Sequence, residues 1–189
     1  MQKRLFTAIV VLTGIFLLSA SIVWAAPAPV PKTGLTSSYL TGDDGDLQKG
    51  VPSPNPRFTN NGDGTVTDNL TGLMWAKNAN IANGYKDWGM AISYANSLSL
   101  GSDCGTPHTD WRLPNVKEML SLIDYGNINP ALPTGNPFQG VQNAYYWTST
   151  TFAVYTSDAW GVNMADGHSD DEFKADGSNM YVWPVRGGN

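Results

Sequence analysis

The sequence predicts an α+β domain, and three observations point there. Short β-prone runs separated by turn residues come first, two amphipathic helical stretches follow, and further alternating strands close the chain. Strands and helices grouped in this way do not give the alternating order of a parallel α/β sheet. The 189 residues suffice for one domain with a proper core. With 20 Gly, 12 Pro and 7 Trp against only 14% charged residues, the composition suits a loop-rich fold with aromatic anchors.

The amino-terminal segment stands apart. Lys3 and Arg4 precede an uncharged run from Leu5 to Ala25, with Val23 and Ala25 at the −3 and −1 positions of a cleavage site. This is the pattern of a secretory signal peptide over residues 1–25. The run is also long enough to stay behind as a membrane anchor. The small residues at its end and the Pro-rich stretch after it favour cleavage, and therefore an exported protein in the periplasm, at the cell surface or secreted. No stable membrane insertion is expected afterwards. Removing residues 1–25 takes away Lys3 and Arg4 and no acid, so the formal charge moves from −5 to −7. An acidic surface without a basic cluster does not attract nucleic acid.

Residues 26–56 read as a Pro/Gly-rich leader and linker, with Tyr39, Leu40 and Leu47 as its anchoring candidates. The folded domain is expected over 57–188. Its first strands are Arg57–Thr59, Thr65–Asp68 and Leu73–Ala76, joined by turns at Asn60–Gly64 and Asn69–Gly72. Trp88, Ala91, Ile92, Ala95 and Leu98 mark one face of a first helix, capped by Asp87 and stopped by Gly101. Val116, Met119, Leu120 and Ile123 mark a second, with Asn115 and Glu118 spaced as a capping box. Burial is expected for Ile92, Leu98, Val116, Leu120 and Ile123. After a proline-containing loop to Val141, strands are expected at Ala144–Thr150, Asp158–Met164 and Met180–Arg186. The polar segment 165–179 reads as an exposed loop. Cys104 is the only cysteine, which leaves burial or an intermolecular bond, with burial the commoner fate.

Several stretches together resemble one bacterial family. They are Arg57–Trp75, Asp110–Asn115 (DWRLPN), Asn129–Pro133, Tyr146–Thr151, Ala159-Trp160 and Tyr181–Gly188 (YVWPVRGG), preceded by Pro31–Gly34 and Asp44–Val51. The chain resembles the family named for the C-terminal domain of the Legionella collagen-like adhesin, a domain of unknown function. The resemblance implies a C-type-lectin-like fold of antiparallel sheets with two short helices and long loops. The WRLP and PVRGG elements are also similar to pieces of formylglycine-generating enzymes. The adhesin domain is implicated in binding sulfated polysaccharides, whereas this chain is acidic. Many members carry a second cysteine where this chain has Ile81 after Asn80.

Catalysis finds little support. His108 and His168, the only histidines, lack metal-ligand spacing to each other or to Cys104. No nucleophile elbow or phosphate loop is present. A formylglycine-generating oxidase needs a reactive cysteine pair, and a hydrolase needs two carboxylates brought together. Neither is visible, so the expectation is a binding module and not an enzyme.

The site is expected on the long polar segment and the strand before it: Trp160, Asn163, Asp166, His168, Asp170, Asp171 and Asn179. Asp and Asn hydrogen-bond sugar hydroxyls while an indole stacks on the ring face. The expected partner is a glycan or an extracellular protein, with no cofactor. A lectin loop with this density of oxygens can hold calcium, though a solvated acidic loop is the plainer reading of the cluster; Asp43–Asp46 and Asn61–Asp68 lack EF-hand spacing and read as tight turns. An assembly or oligomerising role without a small ligand is the alternative, and a homo-oligomer fits either reading. Arg112 and the strand residues Trp147 and Trp183 are expected to be structural. Intact-mass measurement of the exported protein should give a chain beginning at Ala26; a mass that includes residues 1–25 would identify an anchor instead.

Overall fold

The computed structural model describes residues 30–175 and 180–187. The expected signal peptide and Asn179 lie outside the described residues. Two four-stranded sheets share one core. The first contains β1 (Phe58–Asn60), β2 (Thr65–Asp68), β3 (Met74–Ala76) and β10 (Val185–Arg186), in the order β1-β2-β3-β10 and antiparallel throughout. The second contains β6 (Tyr145–Thr151), β7 (Asp158–Asn163), β8 (Ser169–Phe173) and β9 (Met180–Tyr181), in the order β8-β7-β6-β9. Among these only β9 runs parallel to its neighbour β6, a departure from the expected all-antiparallel pairing. A two-stranded hairpin of β4 (Ser102–Asp103) and β5 (Thr106–Pro107) stands apart. The α+β expectation holds.

The helices form where the capping residues place them. α2 (Trp88–Ser97) starts at Asp87, whose carboxylate accepts from the Met90 amide. α3 (Val116–Leu120) carries the capping box: Asn115 accepts from the Glu118 amide, and Glu118 accepts from the Asn115 amide. A further turn, α1 (Asp44–Leu47), lies in the leader and was not expected.

Neighbouring strand residues point to opposite faces, so the second sheet is buried on both sides. Tyr146, Val162 and Met164 meet Met119, Leu122 and Trp183 on the α3 side. Trp147, Ala159 and Met180 meet Ala91 and Ala95 of α2 on the other. Trp147 and Trp183 are core, as expected. Of the five residues expected to be buried, only Ile123 is fully so; Ile92, Leu98, Val116 and Leu120 are half-buried and pack on the core's rim. α3 is a turn and a half long, so Met119 enters the core and its neighbours only border it.

Two buried indoles find acceptors, Trp147 Nε1 at Lys86 O and Trp183 Nε1 at Ala76 O, both at 2.8 Å, whereas the buried Trp75 Nε1 has none among the described residues. Arg112 grips Glu118 with two hydrogen bonds of 2.8 and 2.7 Å and also donates to the Gly187 carbonyl at 2.9 Å. Its main chain bonds Val185 in both directions at 2.9 Å.

The leader and the lone cysteine differ from expectation. Tyr39, Leu40 and Leu47 are exposed. Main-chain bonds hold the leader instead: Lys32 N to Val51 O at 3.0 Å, Val51 N to Val30 O at 2.7 Å and Tyr125 N to Thr33 O at 2.8 Å. Asp43 accepts from the amides of Tyr39, Leu40 and Asp46, and these bonds hold its carboxyl down at about 2. Cys104 is exposed at the β4–β5 turn with φ of 49°, where a tight hairpin leaves no interior to enter.

Met119→Ala should cost about 2–5 kcal/mol in chemical denaturation, since the side chain is fully enclosed. Leu120→Ala should cost distinctly less; equal costs would show the helix face to be misread. Burial alone would raise the Glu118 carboxyl, but the hydrogen bonds from Arg112 and the Asn115 amide outweigh it and hold the group below its ordinary 4.5. The stabilisation is therefore present above about pH 4.5 and is lost as pH falls through the lower folded value. Glu118→Gln should flatten that acid limb in a plot of Tm against pH; an unchanged slope would assign the acid sensitivity elsewhere.

Candidate functional site

The expected site falls on a strand pair and is not one long loop. Ser169–Phe173 forms β8, an edge strand paired with β7, with Trp160 opposite Asp171 and Gly161 opposite Asp170. Its residues, SDDEF, lack apolar alternation, so the sequence reads as a solvated loop. Charged residues on an exposed sheet edge also discourage pairing with other chains.

This pairing divides the expected residues between the two faces. Trp160 and Asp171 lie on the α3 face. Asn163, His168 and Asp170 lie on the α2 face, with Asp166 in the connecting turn. Asn163 and Asp166 spend oxygens on that turn: Asn163 Oδ1 accepts from the Ala165 amide and Asp166 Oδ1 from the His168 amide, each at 2.9 Å. The turn itself packs on the core. A Cβ at Gly167, where φ is +81°, would lie 2.6 Å from Ile123.

On the α2 face, His168 Nε2 lies 3.9 Å from Asp170 Oδ2. The His168 ring meets Tyr145, with centroids 6.4 Å apart. Tyr145 was not anticipated. Its hydroxyl is raised by burial first and then by the charges of Asp170 and Asp166, which disfavours a phenolate. Among the described residues, no three His, Cys, Asp or Glu side chains converge in a way that would hold a metal ion.

The α3 face beyond the helix carries a different arrangement. Phe152 stands edge-on to Trp160 at 5.2 Å and 89°, and Tyr155 lies 6.1 Å from Phe152. Phe173 is opposite Asp158, and so lies on the same face one strand over from Trp160. Phe173 is 55% exposed, Tyr155 61% and Val154 68%. These are large values for side chains of this size grouped together. The loop presenting them is fixed by Lys174, whose ammonium donates to Thr151 Oγ1 at 3.0 Å and Thr156 O at 2.8 Å and sits 4.4 Å over the Trp88 ring. Asp171 shares this face with its carboxylate unpaired among the described residues. The sequence held one signal for this platform: Phe152-Ala153-Val154-Tyr155 is an apolar run between two strands, where a hairpin connection is bound to face solvent.

The other acidic stretches serve the fold. Asp63 accepts from Thr65 Oγ1 at 2.6 Å, which holds its carboxyl low, and from the amides of Thr65 and Ser102. Asp68, fully buried, pairs with Arg57 at 2.7 Å.

With this geometry in place, the comparison with known families is direct. The Lcl C-terminal domain family matches residues 64–186, two thirds of the chain, and the chain belongs to that family. No curated protein matches it.

Proposed function

We propose that this chain is an exported recognition module of the C-type-lectin-like kind, without catalytic activity, that binds a neutral glycan on the aromatic platform of its second sheet. One observation carries the reading. Phe152, Tyr155, Trp160 and Phe173 gather on one face with the Asp171 carboxylate among them. Apolar faces of sugar rings stack on such side chains, and a carboxylate accepts paired hydrogen bonds from hydroxyls. Family membership supports a bacterial surface role, and the signal-like residues 1–25 support export. The chain's charge argues for a neutral ligand over a sulfated one. Neither a cofactor nor calcium is required by this arrangement.

The face to test is the one around Trp160. An array of neutral glycans should yield a ligand whose binding persists at high salt, since little of it is long-range attraction. Phe173→Ala, Tyr155→Ala and Asp171→Asn should each weaken that binding at least tenfold, with stability held within about 0.5 kcal/mol for the exposed Phe173 and Tyr155. Asp170→Ala, on the opposite face, should bind like the parent. Equal binding by all four variants would remove the site from this face. Retention of proteins but no glycans would replace the ligand class.

A further inference from the structure

A line of touching rings runs from the centre of the core to the surface. The ring centroids of Trp75 and Trp183 stand 5.7 Å apart, those of Trp183 and Tyr146 5.6 Å, of Tyr146 and Tyr181 5.5 Å, and of Tyr181 and Tyr85 4.5 Å. Trp75, Trp183 and Tyr146 are fully buried, Tyr181 is half-buried and Tyr85 is 46% exposed. Such spacings are ordinary aromatic packing. They also bring ring edges into contact, and electrons tunnel readily between rings in contact because the rate falls exponentially with separation. Among the described residues, no ring pair joins Trp111 or Trp147 to this line.

Proton acceptors give the line a direction. An aromatic ring that loses an electron settles as a neutral radical only after it also loses a proton. Trp75 Nε1 has no acceptor among the described residues. Trp183 Nε1 donates to the Ala76 carbonyl, which is too weak a base to take the proton away. The Tyr146 oxygen accepts from the Gln142 amide at 2.8 Å, and its own proton has no acceptor among the described residues. Burial raises that phenol well above its ordinary 10.0, so the proton stays. Tyr181 shares a hydrogen bond with the Tyr85 hydroxyl, and Tyr85 is open to water. The first exit for a proton along the line is therefore its outer end.

From this order we infer that the line conducts oxidising equivalents out of the core, so that one-electron oxidation of Trp75 or Trp183 ends as a phenoxyl radical at the Tyr181–Tyr85 pair. A one-electron oxidant removes an electron from a buried indole and leaves a radical cation. One electron then passes inward from the outer pair to the indole, which is restored. Tyr146 keeps its proton, so it bridges this transfer and does not store the radical. The outer phenol that gave the electron releases its proton to water and becomes a neutral radical. A one-electron reductant with a proton to give, such as ascorbate, regenerates the phenol from solvent. The rings of the aromatic platform form a separate group, so this activity does not depend on a ligand there.

Near-ultraviolet excitation of the indoles in the mature chain, with pentaamminechlorocobalt(III) as an irreversible one-electron acceptor, tests it. A nitroso spin trap followed by peptide mass mapping should place adducts at Tyr85 or Tyr181 ahead of Tyr39 and Tyr125, which are at least as exposed as Tyr85 and stand outside the line. Combining Tyr85→Phe with Tyr181→Phe keeps both rings and removes both hydroxyls. In that variant Trp75 and Trp183 should be oxidised several times faster, while Trp111 and Trp147 are oxidised at the parent's rate. Ascorbate should protect Trp75 and Trp183 in the parent and not in the variant. The inference is overturned by adducts spread evenly over the exposed tyrosines, by unchanged loss of Trp75 and Trp183, or by equal protection of both proteins. Equal acceleration at Trp111 and Trp147 also overturns it, since that pattern marks a loosened fold.

Discussion

Arg112 sits where three separate parts of the chain meet. Its guanidinium holds Glu118 in the first turn of α3, its side chain reaches the Gly187 carbonyl, and its main chain pairs with Val185 of β10. Glu118 in turn caps its own helix, so one carboxylate satisfies both a helix terminus and a half-buried cation. The adjoining Pro114 carbonyl accepts from the Ser149 amide at 2.7 Å, and the Val116 amide donates to Thr150 Oγ1 at 3.0 Å. The start of α3 is thereby stitched to β6. The first sheet, the helix and the second sheet acquire a fixed relation at this point. Severing the pair would strand a half-buried charge, which is why it acts as a constraint more than as a source of net stability.

Much of the frame could be read from the residues alone. Turn-forming Asn, Gly and Asp between β-prone runs gave the β1–β2–β3 meander, and the caps Asp87 and Asn115 gave the helix starts, because these signals are local. What escaped depended on partners distant in sequence. Ser169–Phe173 becomes a strand only because β7 lies beside it, and its own side chains carry no apolar alternation. The leader is held by main-chain amides and by glycines at close approach, while its large apolar side chains face water; hydrophobicity was therefore the wrong signal for its anchors. The last stretch, Met180–Arg186, reads as one strand yet contributes to two sheets, since Val182, Trp183 and Pro184 cross between them.

The candidate site was legible in composition and not in geometry. Trp160 and Asp171 do share a face, whereas Asp170, His168 and Asn163 turn to the other, as the two-residue period of a strand demands. A list of polar residues in a presumed loop carries no such division. The aromatic neighbours that give Trp160 a context, Phe152 and Tyr155, arrive from the preceding hairpin connection, and Lys174 pins that connection in place. Loops fixed in this way can present a surface without rearranging on contact, which lowers the entropy cost of binding.

The closing residues have a bearing on the order of events during synthesis. β9 borders the second sheet and β10 the first, so neither sheet is complete until residues 180–186 have been made. At roughly 5–20 residues per second, the interval between making β1 and making β10 is on the order of 6–25 s. Throughout that time β3 lacks its outer neighbour and Trp183 has not been made to fill the centre. A ribosome-bound or prematurely ended chain stays open along both sheets. Such a polypeptide is slow to become compact, which leaves shortened products open to proteases.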